Sequence, residues 1–187
     1  MNNVFQAAAE LQNVCQSQDW HFCFIGGVAL QRWGEPRTTT NVDLSLFAGF
    51  AEQHFSDTLL KYFEPRISNA SVFAQQQRVL LLRSSKHVGL DVALAASPYE
   101  ELMIQRSSNF DYPTCIPLRT CSAEDLIVLK AFAGRGQDWV DVERIIIRQT
   151  GKLDWDYIHE QLRPLAELKD APEILDQLEA RRVEFEQ

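Results

Sequence analysis

The residue types and spacings that could do chemistry stand in three short stretches. Gly26 and Gly27 follow the apolar run Phe22-Cys23-Phe24-Ile25, Asn41, Asp43 and Ser45 alternate with Val42, Leu44 and Leu46, and Asp91 stands between Gly89 and Ala93. An apolar run that meets two glycines and continues as Val28 to Trp33 predicts a strand, a turn and a short helix ending at Gly34. Such a turn lets backbone N–H groups approach an anion without a Cβ in the way, and the helix N-terminus adds partial positive charge. The alternating stretches predict strands whose apolar rows face a core while Asp43 and Asp91 project from the other face. Two strands that each present a carboxylate can hold a divalent cation, because Mg²⁺ takes one or two carboxylates together with substrate phosphates. A phosphate cradle opposite a metal site is the chemistry these residues point to.

The elements needed to position them are legible in turn. Val4 to Gln16 has the periodicity of an amphipathic helix with Ala7, Ala8, Leu11, Val14 and Cys15 inward, and Glu52 to Tyr62 reads as a second helix. Arg78 to Arg83 and His87 to Leu94 read as a β-hairpin joined through Ser84-Ser85-Lys86. Pro98 to Gln105 is a helix with proline at its start, and Cys115 to Leu118 an edge strand, since Pro117 cannot donate to a ladder. The rest is helical: Ala123 to Ala133, Trp139 to Gln149, Trp155 to Leu168 and Pro172 to Phe185. The expectation is an α/β (α+β) fold in which an N-terminal sheet module over residues 1–120 is followed by a helical bundle over 121–187.

Composition narrows the function classes. With 187 residues and 45% hydrophobic content the chain can bury a substantial core. No stretch approaches the roughly 18 apolar residues of a membrane span, and the first residues lack a basic secretory leader, so a cytoplasmic protein without membrane partners is expected. The formal charge of −8 argues against a broad nucleic-acid surface while leaving room for a local patch. Cys15, Cys23, Cys115 and Cys121 show no CxxC spacing and read as reduced, mostly buried thiols, and the four histidines are scattered without nucleophile or metal spacing.

Gly26-Gly27, then Arg37-Thr38-Thr39-Thr40-Asn41-Val42-Asp43-Leu44, then Asp91, and the later helix Ser122 to Arg135 with Gln137-Asp138-Trp139-Val140-Asp141-Val142 resemble the nucleotidyltransferase superfamily that includes DNA polymerase β. The nearest likeness is to its minimal bacterial branch, the AbiEii-like toxins and related small (MNT-type) nucleotidyltransferases, and it runs from roughly Phe5 to Leu162. The resemblance implies a nucleotidyltransferase sheet module with flanking helices, an NTP substrate, and Mg²⁺ or Mn²⁺ held by Asn41, Asp43 and Asp91. Gly26 and Gly27 would hold the phosphates and Asp91 would also serve as general base. The family's first metal carboxylate falls on Asn41, an amide that can ligate but carries no charge, so metal affinity or turnover is expected to fall. A degenerate enzyme, a family member turned binding protein, and a deliberate Asp-to-Asn change all account for it.

Two cations extend the candidate set. Lys130 is the only charge in Leu126 to Ala133, and the resemblance implies a triphosphate ligand; the residues themselves also allow a snorkelling lysine or a salt bridge to Asp138 or Asp141. Arg37 follows Pro36 and has the fork geometry for phosphate or for stacking on a base, or is a surface-loop arginine. Arg135, Asp138 and Asp141 have the spacing to pair with one another and with Arg144. The expected activity is transfer of an NMP from an NTP to a hydroxyl on a tRNA 3′ end or a protein, with a cognate antitoxin implied by the resemblance alone. A catalytically inactive binding or regulatory module and an antibiotic nucleotidyltransferase are the alternatives.

Overall fold

Alternation of apolar and polar side chains produces the sheet, and helical periodicity produces everything that follows it. The structure, a computed structural model, describes residues 2–112 and 117–186. The chain runs through α1 (Asn2–Ser17), β1 (Phe22–Phe24), α2 (Gly26–Trp33), β2 (Asn41–Phe47), α3 (Glu52–Leu59), β3 (Glu64–Pro65), α4 (Ala70–Gln77), β4 (Val79–Arg83), β5 (Gly89–Ala95) and α5 (Pro98–Arg106). It continues through β6 (Ser108–Asp111), β7 (Pro117–Thr120), α6 (Ala123–Ala133), α7 (Gly136–Arg148), α8 (Trp155–Leu168) and α9 (Glu173–Phe185). These elements fall into two compact units, Met1–Val28 with Thr38–Cys121, and Ala29–Arg37 with Ser122–Gln187.

The first unit is built on a mixed sheet in the order β3-β4-β5-β2-β1-β7-β6. β2 pairs parallel with β5 and antiparallel with β1, so the short β1 and the long β5 flank the strand that carries Asp43. Val42, Leu44 and Leu46 of β2 and Leu90, Val92 and Leu94 of β5 are buried and share one core with Ala7, Ala8, Leu11 and Cys15 of α1. Each fully buried leucine removes enough apolar surface from water to contribute about 1.5–3 kcal/mol, which fixes the register: a slip by one residue would turn the carboxylates into the core. Ser97 caps α5 in a reciprocal capping box with Glu100, one residue before the Pro98 that opens the helix.

The second unit gathers α6, α7, α8 and α9, which pack against one another. Ser122 accepts from the Asp125 N–H to start α6, and Gly134, at φ +69°, ends it in the left-handed conformation. Trp139, Val142, Ile145 and Ile146 form the buried stripe of α7. Among the described residues no helix is long and apolar enough to cross a membrane.

Several elements differ from the sequence reading. β7 is not an edge strand: it lies between β1 and β6, and Pro117 is tolerated because it is the first residue of the strand. Cys115 and Ile116, which that reading included, lie outside the described residues. The strands β3 and β6 and the helix α4 carry too few apolar residues in phase to announce themselves; β6 is exposed at every position. α2 begins at Gly26, two residues before the apolar pattern does, and α3 stops at Leu59.

Candidate active site

The parallel ladder of β2 and β5 sets Asp43 directly opposite Asp91 and Asn41 opposite Gly89. Residues paired across adjacent strands share a face, and so do residues two apart, so Asn41, Asp43 and Asp91 all rise from the side of the sheet away from its core. All three are half-buried, whereas Val42, Leu44, Leu90 and Val92 between them are buried.

The glycine pair stands against this row. The Ile25 N–H donates to the Asp43 carbonyl at 3.0 Å, which brings the turn after β1 alongside β2. Gly26 adopts φ +54°, and a Cβ there would run into the Asp43 carboxylate; a Cβ on Gly27 would lie 2.5 Å from Thr39 Oγ1. The two glycines therefore admit Asp43 and Thr39 to the N-terminal turn of α2, where a carboxylate is favoured by the exposed N–H groups and the helix dipole. The anion that this turn demonstrably accommodates is the chain's own Asp43.

Asp91 is held from two sides. Arg66 Nη2 makes an ion pair with Asp91 Oδ1, and Asn41 Nδ2 donates to Asp91 Oδ2 at a long 3.4 Å. Arg66 arrives there because its backbone N–H bonds to the Leu81 carbonyl at 3.0 Å, and Leu81 of β4 is the register partner of Asp91. Gly89 clears the way: a Cβ at that position would lie 2.8 Å from Asn41 Oδ1 and 2.9 Å from Arg66 Nη1. Arg66 Nε is buried and has no partner among the described residues. Sequence reasoning missed Arg66, a lone arginine after a two-residue strand; the only available signal was that two carboxylates facing each other from apolar strands call for a nearby cation.

The other two candidates, Lys130 and Arg37, belong to the second unit and are joined to each other there. Lys130 Nζ donates to Asp141 Oδ2 at 2.6 Å and lies 3.3 Å from Asp138 Oδ1. Arg37 grips the same Asp141 with two parallel bonds, Nε to Oδ1 at 3.1 Å and Nη2 to Oδ2 at 3.0 Å, and Gln137 Nε2 adds a bond to Oδ1 at 3.1 Å. The Asp141 side chain is wholly inaccessible and that of Lys130 only 7% exposed. Burial alone would push the Asp141 carboxyl up, but the bonds from Arg37, Lys130 and Gln137 together with the Lys130 charge outweigh it and hold it below the ordinary carboxylate range. Lys130 is thus placed in the salt bridges that the residues allowed, and Arg37 is tied to α7 rather than standing free in a loop.

Among the described residues no group of three or more His, Cys, Asp and Glu side chains forms a metal cluster. Two carboxylates and an amide oxygen on one sheet face are nonetheless the donor chemistry a hard cation takes when substrate phosphates complete its shell. A cavity of about 430 Å³ also opens in the first unit, between Trp20, Phe22, Phe47, Ile104 and Arg119, and includes none of these site residues. Cys15, Cys23 and Cys121 are buried, and burial pushes the Cys15 thiol up to about 12.

No family model matches the sequence, and no match to a curated protein is found. The fold does have solved relatives. An antigenic nucleotidyltransferase-like protein from Paracoccidioides brasiliensis superposes with a TM-score of 0.56 at 16% identity, over 96% of this chain and 94% of that one. The antibiotic-resistance factor ANT(2")-Ia, solved in complex with adenylyl-2"-tobramycin, aligns over 99% of both chains at 16% identity and a TM-score of 0.48. The lincosamide adenylyltransferase LnuA, solved with lincomycin, aligns over 72% of this chain and 91% of its own at 10% identity and a TM-score of 0.49. The likeness to the Paracoccidioides protein establishes a nucleotidyltransferase-like fold.

Proposed function

We propose that this chain is a nucleotidyltransferase that moves an NMP from an NTP to a hydroxyl acceptor, with Asp43 as its principal charged ligand. The observation that carries the reading is the register: Asp43 and Asp91 come from separate strands with 47 residues between them in sequence, yet meet as ladder partners on one face beside the glycine turn. A sheet stabilised only by its core has no use for two adjacent like charges there, since carboxylates directly opposite each other repel. Mg²⁺ or Mn²⁺ would be held by Asp43, with Asn41 as a neutral oxygen ligand and Asp91 beside it, and when bound would offset charge developing on the phosphates. Gly26 and Gly27 keep that position free of side chains of their own. Asp91, two of whose lone-pair sites already accept from Arg66 and Asn41, retains others to receive the proton of an acceptor hydroxyl. The acceptor class, RNA 3′ end or protein, and an antitoxin partner follow from the resemblance to the minimal bacterial branch.

The test is incorporation of label from each of the four α-³²P NTPs into total tRNA or lysate protein. Label is expected with the unsubstituted chain, more with Asn41→Asp, and none with Asp43→Ala. A second reading, a binding module that has lost its chemistry, is favoured by one observation: the arginine and the asparagine amide together occupy both oxygens of Asp91. It predicts no labelled product from any variant, including Asn41→Asp.

A further inference from the structure

A second recess stands apart from the catalytic candidates, within the first unit. Phe47 is four residues beyond Asp43 on β2, on the same face and roughly 13 Å along the strand. The cavity of about 430 Å³ opens beside it and falls in the size range of small-molecule sites. Trp20, Phe22, Phe47 and Ile104 give it an apolar wall, and Asp19, Glu101 and Arg119 bring charge to it. Among the described residues neither carboxylate has a side-chain partner, and Arg119 pairs with neither of them. Arg119 is held where it is: its Nε donates to Ser107 Oγ at 2.6 Å and its backbone N–H donates to Gln12 Oε1 at 3.0 Å. The plane of the guanidinium is thereby set, and its two terminal nitrogens have no partner among the described residues.

We infer that this cavity binds a small zwitterion with an apolar body, an α-amino acid with an aromatic or aliphatic side chain, its carboxylate on Arg119 and its ammonium on Glu101. The charge pattern selects that class. A plain anion would meet Arg119 but also two carboxylates. A plain cation would leave the guanidinium unmatched in a recess partly withdrawn from water, where each charge counts for more than in bulk solvent. A molecule that carries both charges satisfies both ends. An amino acid's carboxylate is planar and two-pronged, which suits the pair of terminal nitrogens on Arg119. Glu101 stands three and four residues before Ile104 and Gln105 on α5, so its carboxylate adjoins the wall that would take the ligand's side chain, and Asp19 adds a second negative charge for the ammonium. The inference uses no residue of the nucleotidyltransferase reading, and either can fail without the other.

Calorimetric titration of the full chain with L-phenylalanine, L-tryptophan and L-leucine tests this. Saturable binding of at least one of them, one molecule per chain, is expected. The analogues of that amino acid lacking one charge, such as 3-phenylpropionate and 2-phenylethylamine for phenylalanine, should bind about tenfold or more weakly, the usual effect of losing a hydrogen bond to a charged group. Glu101→Gln changes an exposed position and should abolish the preference for the amino acid over its acid analogue. Arg119→Gln should abolish the preference over the amine; because it also gives up the bond to Ser107, its thermal transition is recorded, and if it is unfolded Glu101→Gln decides alone. No binding of any of the three amino acids, equal binding of either analogue, or an unchanged preference in Glu101→Gln overturns the inference. None of these outcomes bears on label transfer from an NTP.

Discussion

The sheet face around Asp43 and Asp91 and the ionic knot around Asp141 use the same chemical groups to opposite ends. In the knot, one carboxylate with no solvent access accepts from Arg37 twice, from Lys130 and from Gln137, and Asp138 is served by Lys130 and Arg135. Cations outnumber carboxylates there, and Asp141 and Lys130 are shut away from water. On the sheet face the Arg66 and Asp91 side chains are 23% and 27% exposed, and among the described residues the arginine Nε has no partner. The difference teaches how to tell a structural ion pair from a working one. A buried charge that costs several kcal/mol to desolvate must be fully compensated within the fold, whereas a site that exchanges ligands must leave part of its charge uncompensated.

That contrast is broken first by removing one partner from each region. Lys130→Met strands Asp138 and Asp141 in the second unit without their ammonium and should cost about 3–5 kcal/mol, as removal of one member of a buried pair does; urea unfolding measures it. Asp43→Asn should move the urea midpoint little, because it relieves repulsion on a half-exposed face, but should lower nucleotide transfer by about 10²–10³-fold, the usual effect of deleting one group that stabilises transition-state charge. If Asp43→Asn destabilised the chain as much as Lys130→Met, the division between structural and working charges would fail.

Acid separates the same two regions. Because Asp141 titrates below its ordinary value in the folded chain, the stability it contributes is complete above the unfolded carboxylate range and is lost as pH falls through the lowered folded value. Thermal midpoints followed downward from pH 7 should therefore hold steady and then drop below about pH 4, and Asp141→Asn, though less stable at neutrality, should show a shallower acid slope. An equal slope in both would mean that the knot does not govern acid stability.

What could be read from the sequence divides along the same line. The sheet face was legible because period-two alternation assigns a side to every residue of a strand: Asp43 and Asp91 had to leave the core, and the glycines had to mark a turn. Arg66 was not, because its position depends on a backbone bond to Leu81 and on a side chain reaching across β4, and neither leaves a local pattern. Lys130 could be read two ways, since periodicity shows that a lysine lies on a buried face but not which charge meets it. Its partners come from the next helix, eight and eleven residues on, and only the packing of α6 with α7 brings them together. The glycines were legible as a turn, but what they admit, Asp43 and Thr39, is a tertiary fact.

Gly26→Ala should have a smaller effect on stability. The left-handed φ alone costs an alanine about 1–2 kcal/mol, and the new methyl must also push the Asp43 carboxylate away, so transfer should fall with stability in this variant where in Asp43→Asn it falls alone. Urea unfolding and label transfer on the same preparation check both.

Gly89→Ala gives the smallest change and the finest distinction. The three heavy atoms nearest the added methyl belong to the Asn41 amide and the Arg66 guanidinium, and these groups can swing away, so the cost in urea should be about 1 kcal/mol or less. Yet those two ends are what cover Asp91. Displacing them uncovers a carboxylate beside Asp43 without changing a single formal charge, and Mn²⁺ affinity should rise while stability hardly moves. Isothermal titration with Mn²⁺ reads the first and urea the second. A variant that lost stability without gaining metal affinity would show that Arg66 and Asn41 pack against Gly89 for the sake of the sheet, and would place this face on the structural side of the comparison with the knot.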